Sequence, residues 1–441
     1  MRKKTIKNKI IFIILFLFSI FRIEAQEIWT LEKCIERAIE KNISIKQIEA
    51  DLEIIQQNKK TAISNFLPAI NLGGNHSWNI GLNQNITTGI LENLTTQTTS
   101  LSANVNMDVF NGLQNIQQIY KSNLSILSSK YQLNDMKDDI SLLIANSYLQ
   151  ILFNKENLSI QESYIKIAQE ELVISKERFN SGFIPKGDIL ELEANLATSE
   201  QNLIIAQNNY TLSKLALAQL LRIRNFYDFK IEEKEYLIPD TKILDSDINT
   251  IYKSALKTRN DIKLAETNLK IATKDLSIAK SQLLPSISAF YSYNSRVIFN
   301  NPESFNNQLD ANAGENFGLQ ITVPIFNKMT NNVNVKINKI KKEKSFYTLE
   351  QTKLDLENTI NEAYYNTLAA QKTYEAAQKT LFARETSYKN AKERFNNGDI
   401  NTFDFLQAQQ RFENAQSNLI KTKYDFIFKI KVLEFYFIAR N

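Results

Sequence analysis

One histidine, His76, and one cysteine, Cys34, set a low ceiling on the chemistry of this 441-residue chain. They cannot supply a common zinc or haem ligand set, nor a Cys–His nucleophile pair. No strand-to-helix loop carries the several glycines that cradle a phosphate. The carboxylate pairs Glu170/Glu171 and Glu232/Glu233 fall on helix faces or in a connecting segment and read as solvated surface. One set of residues, however, occurs twice. Glu177-Arg178-Phe179-Asn180-Ser181-Gly182 returns 216 positions later as Glu393-Arg394-Phe395-Asn396-Asn397-Gly398, and Asp188 returns as Asp404. One helical turn beyond each aspartate stand Glu191 in the first set and Gln407 in the second. Arginine, a turn glycine and a carboxylate in that order suit ion pairing and hydrogen bonding, not bond breaking. The chain reads as a non-enzyme that needs no cofactor and no metal.

The elements that position this set are doubled too. Val109-Phe110-Asn111 recurs as Ile325-Phe326-Asn327, and Leu67-Pro68-Ala69-Ile70 recurs as Leu284-Pro285-Ser286-Ile287. The first repeat is expected over 26–221 and the second over 248–441, joined by a link at 222–247. The ten glycines and six prolines avoid long stretches rich in Leu, Ile, Ala, Lys, Glu and Gln. Those stretches predict very long helices at about 112–180 and 328–396, with apolar residues at helical spacing such as Ile140, Ile144, Tyr148 and Ile151. Gly182 and Gly398 end them by adopting positive φ. Return helices follow at about 188–221 and 403–437, with Asp188 and Asp404 near their starts, where a carboxylate suits the free N–H groups. The return helices are half as long, so shorter helices at 43–66 and 261–283 are expected to flank the rest.

Between the short and long helix of each repeat the period changes to two. Strands are expected at about 68–82 and 99–110, then at 285–297 and 316–326. Ile70, Leu72, Trp78 and Ile80 alternate with Asn71, Gly73, Ser77 and Asn79, and Phe317, Leu319 and Ile321 alternate with Gly318, Gln320 and Thr322. One apolar and one small polar face is the pattern of a membrane β-barrel. Trp78, Tyr291 and Tyr293 suit an interfacial belt, whereas His76 on the apolar face suits only a strand end. A soluble sandwich capping a coiled coil would also alternate, but Asn/Ser/Gly faces without charge pairing argue against it. Four strands cannot close, and open edges are not tolerated in hydrocarbon. Chains must therefore pool strands.

The first residues look like a secretion leader over 1–25. Arg2, Lys3, Lys4, Lys7 and Lys9 precede an apolar run too short to span a bilayer, and Ala25 suits cleavage. Without those residues the chain carries 47 bases and 47 acids, which excludes a basic protein aimed at nucleic acid. Cys34, alone, cannot form an intramolecular disulfide and is expected to be buried on the first helix.

The doubled order of strand pair, long helix, turn and return helix resembles the TolC-like outer-membrane efflux protein family. So does the Arg-Phe-x-x-Gly-x5-Asp-φ-Leu turn, present as Arg178/Gly182/Asp188-Ile189-Leu190 and Arg394/Gly398/Asp404-Phe405-Leu406. The resemblance covers about 29–437. It implies a mainly α fold with a β-barrel part: a homotrimer with a twelve-stranded barrel in the outer membrane of a Gram-negative cell and a periplasmic α-helical tunnel. It further implies work with a periplasmic membrane-fusion adaptor and an inner-membrane RND-type pump or ABC exporter, in tripartite efflux or type I secretion. The two turns then become the periplasmic tips. Asp188, Glu191, Asp404 and Gln407 are candidates for the constriction; Arg178, Gly182, Arg394 and Gly398 are candidates for the tip turn and adaptor contact. Helix capping by the two aspartates is an equally open role. A non-conducting periplasmic coiled-coil scaffold is the alternative from another class.

Overall fold

The computed structural model describes residues 28–85, 88–227, 229–232, 238–239, 241–299 and 301–437; the expected leader at 1–25 lies outside the described residues. In chain order the elements are β1 (Ile28–Trp29), α1 (Leu31–Lys41), α2 (Ile43–Ser64), β2 (Ala69–Gln84), β3 (Leu91–Asn111), α3 (Gln114–Asn180) and α4 (Lys186–Leu220). The second half continues with β4 (Lys230–Ile231), a 3-10 turn (Lys242–Asp245), α5 (Ile248–Thr258), α6 (Asn260–Ser281) and β5 (Ser286–Ile298). It ends with α7 (Phe305–Ala311), β6 (Gly314–Thr322), α8 (Thr330–Asn397) and α9 (Thr402–Phe437). At 67 and 68 residues, α3 and α8 are each about 100 Å long. The chain divides into two compact units.

One unit gathers the described residues within Met1–Lys46, Met136–Ala255 and Glu357–Asn441. Its largest core is built where α1, α3, α4 and α9 converge, from Cys34, Ala38, Ile144, Tyr148, Ile151, Leu217, Leu221 and Ile427. Thr30 starts α1 by accepting from the Lys33 N–H at 3.2 Å, the ordinary N-cap bond. β1 and β4 pair in parallel. The Tyr148 hydroxyl donates to the carbonyls of Trp29 and Glu232, at 3.3 and 3.1 Å, and so ties that ribbon to α3. Its repeat partner 216 positions on, Tyr364, donates to the Leu244 carbonyl at 2.9 Å. Two equivalent tyrosines thus anchor the irregular link to the two long helices. That link satisfies buried phenols which its own sequence gives no sign of meeting.

The other unit comprises Gln47–Asp135 and Leu256–Leu356. Its centre is a four-stranded antiparallel sheet in the order β2-β3-β5-β6. The register places Ile70 beside Val105, Val105 beside Tyr291, and Tyr291 beside Phe317, all on one face. The next residues along, Asn71, Asn104, Ser292 and Asn316, form a row on the other. Much of the apolar face is bare, Leu72 being 84% exposed and Ile80 78%, although Val297 on the same face is buried. The polar face is laced by its own side chains, Ser292 Oγ donating to Asn104 Oδ1 at 2.8 Å and Asn294 Nδ2 donating to Ser292 Oγ at 2.8 Å. Neither outer edge, β2 nor β6, has a strand partner among the described residues.

Several boundaries differ from those expected. β3 begins at Leu91, not near 99, because the Thr-rich segment ahead of it pairs with β2 down to Gln84↔Leu91 although its apolar alternation has faded. β6 ends at Thr322, not 326, since Pro324 has no N–H for a ladder. The second loop holds α7, which lies along the part of β5 that β6 does not reach. There Gln308 Oε1 accepts from the Ile298 N–H at 2.9 Å, and Asn312 Nδ2 donates to the Arg296 carbonyl at 2.7 Å. His76 sits mid-strand, not at an end. Its Nδ1 lies 2.8 Å from Thr99 Oγ1, and its ring packs edge-on to Trp78 and Phe299.

Candidate functional site

Both long helices end in the same backbone motif. Gly182 has φ 81° and Gly398 φ 82°. The Phe183 N–H reaches back to the Arg178 carbonyl at 2.9 Å, and the Asp399 N–H to the Arg394 carbonyl at 2.8 Å. This six-to-one bond around a left-handed residue is the Schellman stop, and it explains why a glycine stands four residues after each arginine. The return helices start differently. Asn401 caps α9, its Oδ1 accepting from the Asp404 N–H at 2.8 Å. Pro185 holds the cap position of α4 and offers no side-chain bond. Asp188 and Asp404 are therefore not caps. Each is the third residue of its helix, where its charge meets the positive end of the dipole but its side chain stays available.

Five of the expected residues line one open cleft: Arg178, Asp188, Arg394, Gly398 and Asp404, with Asp399 beside them. Glu191 and Gln407 are exposed on the return helices and do not line it. The two arginines part company. Arg178 Nη1 donates to the Phe395 carbonyl at 3.2 Å and Nη2 to the Asn396 carbonyl at 3.0 Å, with the guanidinium 5.6 Å from the Phe395 ring centroid. It thereby adds donors to two carbonyls at the end of α8, the other repeat's long helix, of which that of Phe395 already accepts from the Gly398 N–H at 3.1 Å. Arg394 is exposed. One hairpin thus fastens the other, and the second arginine is left facing outward.

Beneath the turns the repeats pack with different side chains. Leu172, Ile189 and Leu192 make a small aliphatic core with Leu196. In the second repeat Tyr388, Phe405 and Phe412 replace Leu172, Ile189 and Leu196; Phe395 stacks on Phe405 at 4.6 Å, and Tyr388 on Phe412 at 5.1 Å. The sequence singled out Phe395 and Phe405 only as motif letters. Their aromatic partners at Tyr388 and Phe412 were the overlooked signal.

The Glu170/Glu171 pair also needs correction as solvated surface. Glu170 is exposed, but Glu171 is 8% exposed and pairs with Lys392 Nζ at 3.0 Å. Burial pushes the Glu171 carboxyl above the usual carboxylate range, against the pull of Lys392, while that bond raises the Lys392 ammonium against its own desolvation. Lys176, the repeat partner of Lys392, pairs instead with the exposed Glu193 at 2.9 Å. Tertiary placement, invisible in a single helix, decided which of two adjacent glutamates went inside. Among the described residues no group of three or more His, Cys, Asp and Glu could hold a metal, and no helix is long and apolar enough to cross a membrane.

The family model for outer membrane efflux proteins matches residues 34–221 and again 251–427, one match for each repeat. The chain belongs to that family. It is accordingly a protein of the Gram-negative outer membrane with a large periplasmic helical part. Toxin and drug export protein A of Aggregatibacter actinomycetemcomitans is 23% identical over 90% of this chain and 83% of its own length. The cation efflux system protein CusC of Escherichia coli K12 is 20% identical over 88% and 82%. The structure of the outer membrane protein VceC from Vibrio cholerae superposes with a TM-score of 0.78 over 92% of this chain and 95% of that one, at 17% identity. These relatives are export and efflux proteins rather than enzymes.

Proposed function

We propose that three copies of this efflux-family chain close a twelve-stranded barrel in the outer membrane. On this reading their long helices form a periplasmic duct through which cargo leaves an inner-membrane transporter. The observation that carries the proposal is the sheet: two edges without a strand partner among the described residues and a largely bare apolar face on a single chain. Hydrocarbon forbids unpaired backbone, and four strands cannot seal a wall, so β6 of one copy must meet β2 of the next. Lipid would cover the Leu72 and Phe317 face, with Trp78, His76 and Phe299 forming an aromatic girdle towards one end. The Asn and Ser rows would line the lumen.

The paired turns are the proposed periplasmic entrance. In a trimer Asp188, Asp399 and Asp404 each become a threefold ring of carboxylates, which favours cations at the mouth. Arg394 is the proposed contact for a membrane-fusion adaptor, and Arg178 the bond that the adaptor must loosen. An RND-type pump or ABC exporter supplies the energy, in a tripartite efflux or type I secretion system. Planar-bilayer recording of the purified protein tests this. Cation-selective current that loses selectivity in Asp404→Asn is expected. A protein that leaves the membrane without detergent and carries no current would instead be a periplasmic scaffold.

A further inference from the structure

A polar cluster lies buried where three helices meet, outside the cleft described above. Tyr164 and Glu171 come from α3, Tyr388 and Lys392 from α8, and Gln409 and Glu413 from α9. Lys392, the cluster's one lysine, is engaged by Glu171 Oε1 at 3.0 Å. Gln409 is 3% exposed, and its Nε2 donates to Glu413 Oε1 at 2.9 Å. Two buried acceptors have no partner: Gln409 Oε1 and Glu171 Oε2. A buried acceptor left open costs about 1–3 kcal/mol, and these two lie within one cluster.

We propose that Glu413 takes up one proton and forms a reciprocal acid–amide pair with Gln409, making this cluster a proton-binding joint between α3, α8 and α9. The Gln409 amide already donates to one Glu413 oxygen. A proton from water on the other oxygen would donate back to Gln409 Oε1 and supply the missing partner. Glu171, raised by burial as well, is the other acid of the cluster, but Lys392 engages its Oε1. The Tyr164 hydroxyl is committed to Gln416 Oε1 at 2.7 Å and to the Glu413 carbonyl at 3.3 Å. Tyr388 is an acid held protonated by burial and by Glu171.

Electrostatics agrees with the geometry. Burial, and then the charge of Glu171, push the Glu413 carboxyl above its ordinary range, despite the Gln409 bond that favours the anion. A carboxyl raised on folding binds its proton more tightly in the native state. The joint is therefore complete in acid and loosens as pH rises through that raised value. Its consequence for the duct rests on the conducting function proposed above; its existence does not.

The test is an infrared difference spectrum of the full-length protein in detergent between a pH just above the ordinary carboxylate range and an alkaline one. A protonated carboxylic acid band present at the lower pH, lost at the higher, and missing from Glu413→Gln is expected. A band absent from the wild type, or unchanged in Glu413→Gln, overturns the proposal. Should that variant fail to fold, Gln409→Met removes the amide partner and must shift the Glu413 band; an unmoved band refutes the pair. Bilayer current is then read across the same pH range. Loss of pH dependence in Glu413→Gln supports the joint as a brake on the duct. No current in any protein defeats the conducting function while leaving the infrared result standing.

Discussion

At the residue scale, one type of side chain serves opposite purposes in the two repeats. Arg178 ends one helix and closes the C-terminus of another, while Arg394, at the matching position, faces solvent. Charge-assisted bonds to helix-end carbonyls, partly screened at this surface, are worth about 1 kcal/mol together. Arg178→Ala should therefore speed amide exchange at residues 393–400 about fivefold, and Arg394→Ala should leave that exchange unchanged. Cys34 offers an independent check on the core. Burial, and to a lesser degree the charge of Glu32, push its thiol up to about 12. The folded protein then keeps this thiol protonated where an ordinary cysteine ionises, and what the proton contributes is lost only as pH rises from about 9 towards 12. Maleimide at about pH 8 should leave native protein unlabelled and react fully after denaturation. Rapid labelling of the native protein would mean that α1 is not seated on Tyr148 and Leu217.

At the element scale the repeats test each other. Gly112 begins the turn from β3 into α3 with φ 64°, and an added Cβ would meet the Ser281 carbonyl at 2.3 Å. Its counterpart 216 positions on is Lys328, which holds φ 56° with a full side chain. The same left-handed step is thus made once by a residue suited to it and once by one that is not. Lys328→Gly should stabilise by about 1 kcal/mol, read as a higher midpoint in denaturant, whereas Gly112→Ala should destabilise by more than the backbone strain alone. Sequence reading reached the long helices because breakers are missing for dozens of residues, and it reached the tips because a Schellman stop needs a glycine. It could not place the start of β3, where Thr95 and Thr96 carry no alternation and only the partner strand selects them. Nor could it see α7, whose seven residues are too few for a helical period. Arg178, Asp188, Arg394 and Asp404 fall at the junctions of long and return helices where the sequence placed them. Sequence reading missed that Asn401, not Asp404, does the capping, and that Glu171 is buried. Both depend on neighbours in space, not on neighbours in sequence.

At the scale of the whole molecule, the two faces of one sheet make the trimer testable without seeing it. Leu319 and Gln320 are adjacent in β6 and point to opposite sides, Leu319 beside Ala289 and Gln320 beside Ser288. If the Leu319 face meets lipid, an arginine there costs about 2–4 kcal/mol near the bilayer centre, while an arginine in a watery lumen costs little. Leu319→Arg should sharply lower the amount of folded oligomer recovered from outer membranes, and Gln320→Arg should assemble normally but turn the current towards anion selectivity. A soluble sandwich gives the same order of cost, with Gln320 on a solvated face and Leu319 in a packed core, but there neither change would touch an ionic current. Equal assembly of both variants would remove lipid from the apolar face. With it would go the need for three chains to share one wall, because only hydrocarbon makes the bare edges of β2 and β6 intolerable.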